Sequence, residues 1–429
     1  MADGTSLDDI RAARDELDAV IDEIRAVPEY EEFLAPPTFE DVVGAAQAGP
    51  LVYVAAAKPG GLALIVRGTD VAHVPLQHLS AESVQERTHQ YLEAYSGYRA
   101  APRDNRARWD GSLDDVTAWL WDDVMGPVLA ELEGVDGAGG AVLVAGGLLG
   151  LLPLHAAWTP DSTAGSGRRY ALDMLPLSYA PNARSLAAAR RLAAEMTPSR
   201  LLAIADPWPV PAARLAMARH EAGSAAAAFP TVGTTLHGND ATFLAFERAA
   251  PEADVLHLAC HGFARLDSPL DSGLLLAGGK VTLRRLLELQ LRVRLAVLSA
   301  CETAMPGTDL PDEVVALPTG LLQAGVAGVV ASQWAVPDRA TAMLMTEFYR
   351  CWWWERMPPA DALRTAQRWL RDTTNGEKTD RFRTAVGEQA AWLPATVADA
   401  FLAWLDLLPP DLHSHRTIHN WGAFTHVGA

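Results

Sequence analysis

Between residues 200 and 334 the chain repeats one pattern, a short and almost wholly apolar run that stops at small or polar residues and is followed by a helical stretch. The runs are RLLAIADP (200–207), VLHLAC (255–260), RLAVLSAC (294–301) and VAGVVASQW (326–334). A strand facing water on one side alternates apolar with polar residues, whereas a strand covered on both faces has no need to. The segments between them, ARHEAGSAAAAF (218–229), ATFLAFERAA (241–250), TLRRLLELQ (282–290) and VVALPTGLLQAG (314–325), carry helical composition. Strands of this kind alternating with helices predict an α/β fold, a largely parallel sheet with helices on both faces. In such sheets functional groups gather at the C-terminal ends of the strands.

The chain before residue 200 is less regular. Leu7, Ile10, Ala13, Leu17, Val20, Ile21 and Ile24 recur at helical spacing and predict one amphipathic helix over 7–26. Pro36 and Pro37 end that lead. LVYVAAA (51–57), LALIVRG (62–68) and VAHVPL (71–76) read as strands joined by turns, and helices are expected near 80–97 and 113–133. AVLVAGG (141–147) is a further buried strand. Its glycines are followed by no Gly-Lys-Ser/Thr, and Gly-x-Gly-x-x-Gly is absent, so a nucleotide loop is not expected there. PDSTAGSGRR (160–169) reads as a polar surface loop.

Two of the apolar runs deliver chemistry to the same relative place. VLHLAC leads into His261 and Gly262, and LAVLSA leads into Cys301, forty residues later. If the strands are parallel neighbours, with a hairpin and a helix between them, imidazole and thiol emerge at one sheet edge. A thiol becomes nucleophilic as thiolate, and an imidazole can take its proton. The N–H groups of Gly262 and Cys301 would suit an oxyanion. The competing reading is structural, because free cysteine is among the most buried residue types and an isolated histidine is often a packed one.

These residues resemble a family. LHLACHG with PLDSGLLLA, then LAVLSACETA, then GLLQAGVAGVVASQWAVPD, are similar to the core of CHAT-domain peptidases, in the caspase–separase clan of cysteine endopeptidases. IRAVPEYEEFLAPPTFEDV, GPLVYVAA, LLGLLPLHAAW, LSYAPNARSL and IHNWGAFTHVG resemble the flanking parts, so the likeness runs from about residue 20. It implies a caspase-like three-layer α/β/α sandwich with a mostly parallel sheet. The expected division is a helical lead (1–45), a degenerate pseudo-caspase half (46–195) and a catalytic half (196–429). It also implies His261 as general base, Cys301 as nucleophile, a thioester acyl-enzyme, a protein or peptide substrate, and no cofactor or metal. Relatives carry sensor modules where this chain has a short helix, so a separately encoded activator is expected.

QWAVPD resembles the Trp-x-Val-x-Asp stretch of separases, where an acidic residue receives a basic P1 side chain. Carried over, Asp338 lines the S1 pocket, and Asp309, Asp312 and Glu313 add negative charge, which favours Arg or Lys. Alternatively Asp338 N-caps the following helix. Two further readings remain beside the peptidase: a catalytically silent scaffold that binds a partner through its acidic surface, and a thiol hydrolase or transferase acting on small molecules.

Composition narrows the field. Fifty-three acidic against 35 basic side chains give a net charge of −18, which repels phosphate backbones and argues against nucleic-acid binding. No apolar run approaches the roughly 18 residues of a membrane span, and the N-terminus lacks a signal peptide's apolar core, so a cytoplasmic protein is expected. Cys260, Cys301 and Cys351 form no disulfide framework. His257 and Cys260 are expected to be packing residues, His257 bonded to backbone, and Asp271 a turn residue. His413, His415 and His419 match no zinc spacing and are expected in a surface loop. CWWWER (351–356) is expected to pack at a core or domain interface.

Overall fold

The computed structural model describes residues 7–28, 30, 37–133, 139–229, 233–263, 265, 268–299 and 317–429. Cys301, Asp309, Asp312 and Glu313 lie outside the described residues. After the helix Leu7–Arg25, strands β1 (Leu51–Ala57), β2 (Gly60–Arg67) and β3 (Asp70–Leu76) form an antiparallel meander. Strand β4 (Ala141–Ala145) follows two long helical segments, then the short pair β5 (Trp158–Pro160) and β6 (Arg168–Tyr170), then β7 (Leu177–Tyr179). The regular alternation beyond residue 200 gives β8 (Leu201–Pro207), β9 (Gly233–Gly238) and β10 (Val255–Ala259). A three-stranded side sheet of β11 (His261–Phe263), β12 (Gly273–Leu276) and β13 (Gly279–Thr282) interrupts it. The chain then returns for β14 (Leu295–Leu298), β15 (Gly328–Ser332) and β16 (Phe424–Gly428).

Among the described residues, eleven strands make one sheet in the order β3-β2-β1-β4-β7-β16-β15-β14-β10-β8-β9. From β1 through β4 and β7 to β16 the neighbours are parallel, and so are those from β15 through β14, β10 and β8 to β9. The two runs meet at β15 and β16, which are antiparallel. This is the mostly parallel, helix-covered α/β architecture that the apolar runs predict.

The runs are apolar because their two faces serve different cores. Leu201, Ala203 and Ala205 of β8, with Val255 and Ala259 of β10 and Leu295 and Val297 of β14, pack into one core under the helices Ala218–Ala228 and Asp338–Tyr349. Leu202 and Ile204, with Leu256, Leu258, Ala296 and Leu298, pack into the other, beneath Phe246, Leu283 and Leu321. Cys260 belongs to the second core and is buried. Trp352 is also buried while Trp354 is 41 % exposed, so CWWWER is split between core and surface. None of the described helices is long and apolar enough to cross a membrane.

The side sheet is held tightly against its own turn. A Cβ added to Gly273 would stand 1.9 Å from the Val281 carbonyl oxygen, so only glycine fits where β12 joins β11 and β13. Gly273→Ala must displace β13, and it is expected to cost about 1–3 kcal/mol, read as a lower urea midpoint with an unchanged slope. An unchanged midpoint would show that β13 yields freely.

Candidate active site

His261 leaves the main sheet at the end of β10 and opens β11, where it pairs with Leu275. Its ring is partly exposed, and Nε2 lies 2.7 Å from the Ala213 carbonyl oxygen. A carbonyl only accepts, so Nε2 carries the proton and Nδ1 of the neutral ring keeps its lone pair. The backbone thus assigns the tautomer and makes Nδ1 the basic atom. Gly262, in the middle of β11, pairs with Leu274.

Strands β10 and β14 are parallel neighbours, as expected. Val255 pairs with Leu295 and Leu258 with Leu298, a separation of forty residues that equals the one between His261 and Cys301. A hairpin and the helix Leu283–Leu287 fill the interval.

The Ala213 carbonyl belongs to a segment, 213–217, that two carboxylates clamp. Asp206, at the end of β8, accepts from the Leu215 N–H at 2.9 Å and from Arg214 Nε at 2.7 Å. Asp206 has a φ of +47°, a left-handed conformation that aspartate tolerates better than most residues. Asp338 accepts from the Met217 N–H at 2.8 Å. In the sequence Asp206 reads only as the end of a strand, and Ala213 carries no side-chain signal at all. The Asp-Pro pair closing β8 was the available hint.

Asp338 is the first residue of its helix, the N-cap position being Pro337, and its carboxylate makes no cap. A helix entered through proline presents no side-chain cap, and the carboxylate reaches across to the 213–217 segment instead. It also borders a cavity of about 410 Å³ with Ala216, Met217, Trp404 and His415. Burial raises its pKa, opposed by the Met217 N–H and the nearby Arg339 guanidinium. His261 and this cavity therefore share one short segment as their common wall. The adjoining Trp334 is fully buried and donates to the His419 carbonyl at 3.0 Å, which fixes the QWAVPD stretch.

Behind the edge lies a buried polar group. His257 Nδ1 is hydrogen-bonded to the Tyr349 hydroxyl at 3.1 Å rather than to backbone, and Nε2 lies 3.8 Å from Glu221. Burial lowers the His257 pKa to about 3 and raises that of Glu221 well above the usual carboxylate range, so both favour their neutral forms. The Ser299 hydroxyl is near enough to favour ionised Glu221 without meeting hydrogen-bond geometry.

The surface loop expected for the late histidines is corrected. His415 and His419 are buried, at 4 % and 0 % exposure. His419 Nδ1 accepts from Trp109 Nε1 at 2.8 Å, which commits the nitrogen a metal would need. Among the described residues no three potential metal ligands cluster.

The family model described as the CHAT domain matches residues 114–429. The fold is similar to Saccharomyces cerevisiae separase in two separase–securin crystal structures. One gives a TM-score of 0.55 at 9 % identity, covering 96 % of this chain and 33 % of that one. The other gives 0.53 at 10 %, covering 81 % and 31 %. This chain thus spans about a third of the separase chains it resembles. The arginine-specific cysteine proteinase gingipain R is matched at TM-score 0.42 and 9 % identity, over 75 % of each chain. No curated protein matches the sequence.

The buried imidazoles set a pH dependence. Burial lowers the pKa of His155 to about 4 and those of His257, His415, His419 and His426 to about 3. An unfolded histidine binds its proton below about pH 6.5, while these folded ones do not until much lower, so their contribution is complete above 6.5 and is lost as pH falls. Each contributes up to about 1.4 kcal/mol per pH unit inside that window. Glu221 acts in the opposite sense, its contribution being lost as pH rises above the ordinary carboxylate range. The histidines prevail in number, so urea unfolding at pH 5 is expected at a clearly lower midpoint than at pH 7. A midpoint that rises on acidification would contradict the burial of these rings as neutral species.

Proposed function

The chain belongs to the CHAT-domain family, and from that premise we propose that it is a cysteine endopeptidase with His261 as base and Cys301 as nucleophile. One observation carries the reading. His261 leaves β10 with Nε2–H tied to a carbonyl and Nδ1 unprotonated, beside the strand whose sequence continues to Cys301. In the proposed cycle Nδ1 takes the thiol proton and the thiolate attacks the peptide carbonyl carbon. The N–H groups of Gly262 and Cys301 receive the developing oxyanion. The imidazolium returns the proton to the leaving amine, and water then hydrolyses the thioester with the same ring as base. The Ala213 carbonyl holds the imidazole in register and stabilises its charged form, a role that needs only a backbone acceptor.

The proposed division keeps 1–45 as a lead, 46–195 as the half without the dyad and 196–429 as the catalytic half. A basic P1 side chain is proposed to enter the cavity beside Asp338, whose second carboxylate oxygen is not taken by Met217, with Asp309 and Asp312 adding negative charge. The separase of the similar structures is bound to securin, and a protein partner is proposed here too, as activator or inhibitor.

A thiol-directed activity probe tests the dyad. Labelling is expected to vanish in Cys301→Ala, and His261→Ala is expected to lower peptide turnover by about 10²–10⁴-fold. A purified chain that neither labels nor cleaves under any partner condition would leave a silent scaffold instead. A peptide library tests the pocket. Cleavage is expected after Arg or Lys, and Asp338→Asn should lower that preference by about tenfold or more. Cleavage mainly after Asp or apolar residues would remove Asp338 from the role.

A further inference from the structure

A separate cavity of about 560 Å³ lies between the β5–β6 turn, the helix Pro359–Asp372 and residues 413–416. Arg168, Arg169, Arg368, Arg371 and Arg416 line it, facing three carboxylates, those of Asp161, Asp173 and Asp372. In a chain of net charge −18 this is a local reversal of sign.

The five guanidinium groups are not equivalent. Arg371 is consumed by its surroundings: it donates to both oxygens of Asp173 and both of Asp372, and its side chain is 4 % exposed. It is also held against Tyr170 and Trp421, 4.8 and 5.3 Å from the ring centroids. Arg168 forks onto Asp114 at 2.8 and 3.1 Å and lies over Trp158. These two build the wall. Arg169 and Arg368 each come nearest a carboxylate with Nε, at 3.5 and 3.3 Å, and their Nη groups make no hydrogen bond among the described residues. Arg416 makes no side-chain hydrogen bond or ion pair among them, and its Nε is buried without a partner.

A buried guanidinium N–H without an acceptor costs stability and returns nothing unless something outside the chain supplies the acceptor. Guanidinium forks match the oxygens of phosphate in pairs. The volume falls within the range of about 300–1,000 Å³ found for small-molecule sites. We propose that this cavity binds a small molecule carrying a diphosphate or longer phosphate chain, held by Arg169, Arg368 and Arg416. The site is distinct from the Asp338 cavity, although one loop serves both: His413 and Arg416 line the first, and Ser414 and His415 line the second.

Calorimetric titration of the full chain at physiological salt, with inorganic phosphate, pyrophosphate and ATP as separate probes, tests this. Saturable binding of pyrophosphate, ATP or both is expected, about tenfold or more tighter than that of phosphate. Pyrophosphate alone identifies the bare phosphate chain as the ligand chemistry, and a preference for ATP adds the nucleoside. Arg416→Gln should weaken binding about tenfold or more. Arg169→Gln, at a half-exposed position outside the packed core, should do the same and covers the case in which the Arg416 variant misfolds. No saturable binding of either polyphosphate would overturn the proposal, and so would binding that both folded variants retain in full.

Discussion

The ladder from β8 through β10 and β14 to β15 is buried on both faces, and nearly everything else about this molecule answers to that constraint. Alternate residues feed two separate cores, so a polar side chain within the ladder must bring its own partner or become neutral. His257 does both, with Tyr349 beside it and its pKa pressed down to about 3. Polar chemistry with access to solvent is displaced to the strand ends. There the chain places Asp206, His261 and, directly after Trp334 and Ala335, the Val-Pro-Asp turn into the helix that starts at Asp338.

At that edge the organising element is a stretch of backbone. Segment 213–217 contributes no catalytic side chain, yet its carbonyl fixes the His261 tautomer, and its N–H groups satisfy Asp206 and Asp338. The two carboxylates thus act on the histidine through the chain that they anchor. This arrangement explains how an acidic residue such as Asp338 can serve the geometry of the edge while also bordering a cavity.

Much of this was legible in the sequence for a definite reason. Burial on two faces writes itself as uninterrupted apolar runs, so β8, β10, β14 and β15 could be read as strands of a largely parallel sheet, as could the placing of His261 at an exit, while their order in the sheet came from the fold. The clamp was not legible. A carbonyl such as that of Ala213 looks the same at every position, and the bond from Met217 to Asp338 joins residues 121 apart. Asp338 invites a capping reading because local caps are common, and only the fold shows that its partner lies elsewhere. The late histidines mislead in the opposite way. Their polar neighbours suggest surface, whereas the fold buries His419 by giving its ring to Trp109 and its carbonyl to Trp334.

The position of β16 has a consequence for how the molecule comes into being. Residues 424–428 form a strand in the interior of the sheet, parallel to β7 on one side and antiparallel to β15 on the other. A ribosome delivers β7 and β15 long before it delivers their common neighbour. Until then each flank carries an open edge, which is the kind of surface that invites mispairing and aggregation. Joining of the two flanks therefore waits until residue 428 has emerged, well after the strands on either side of it.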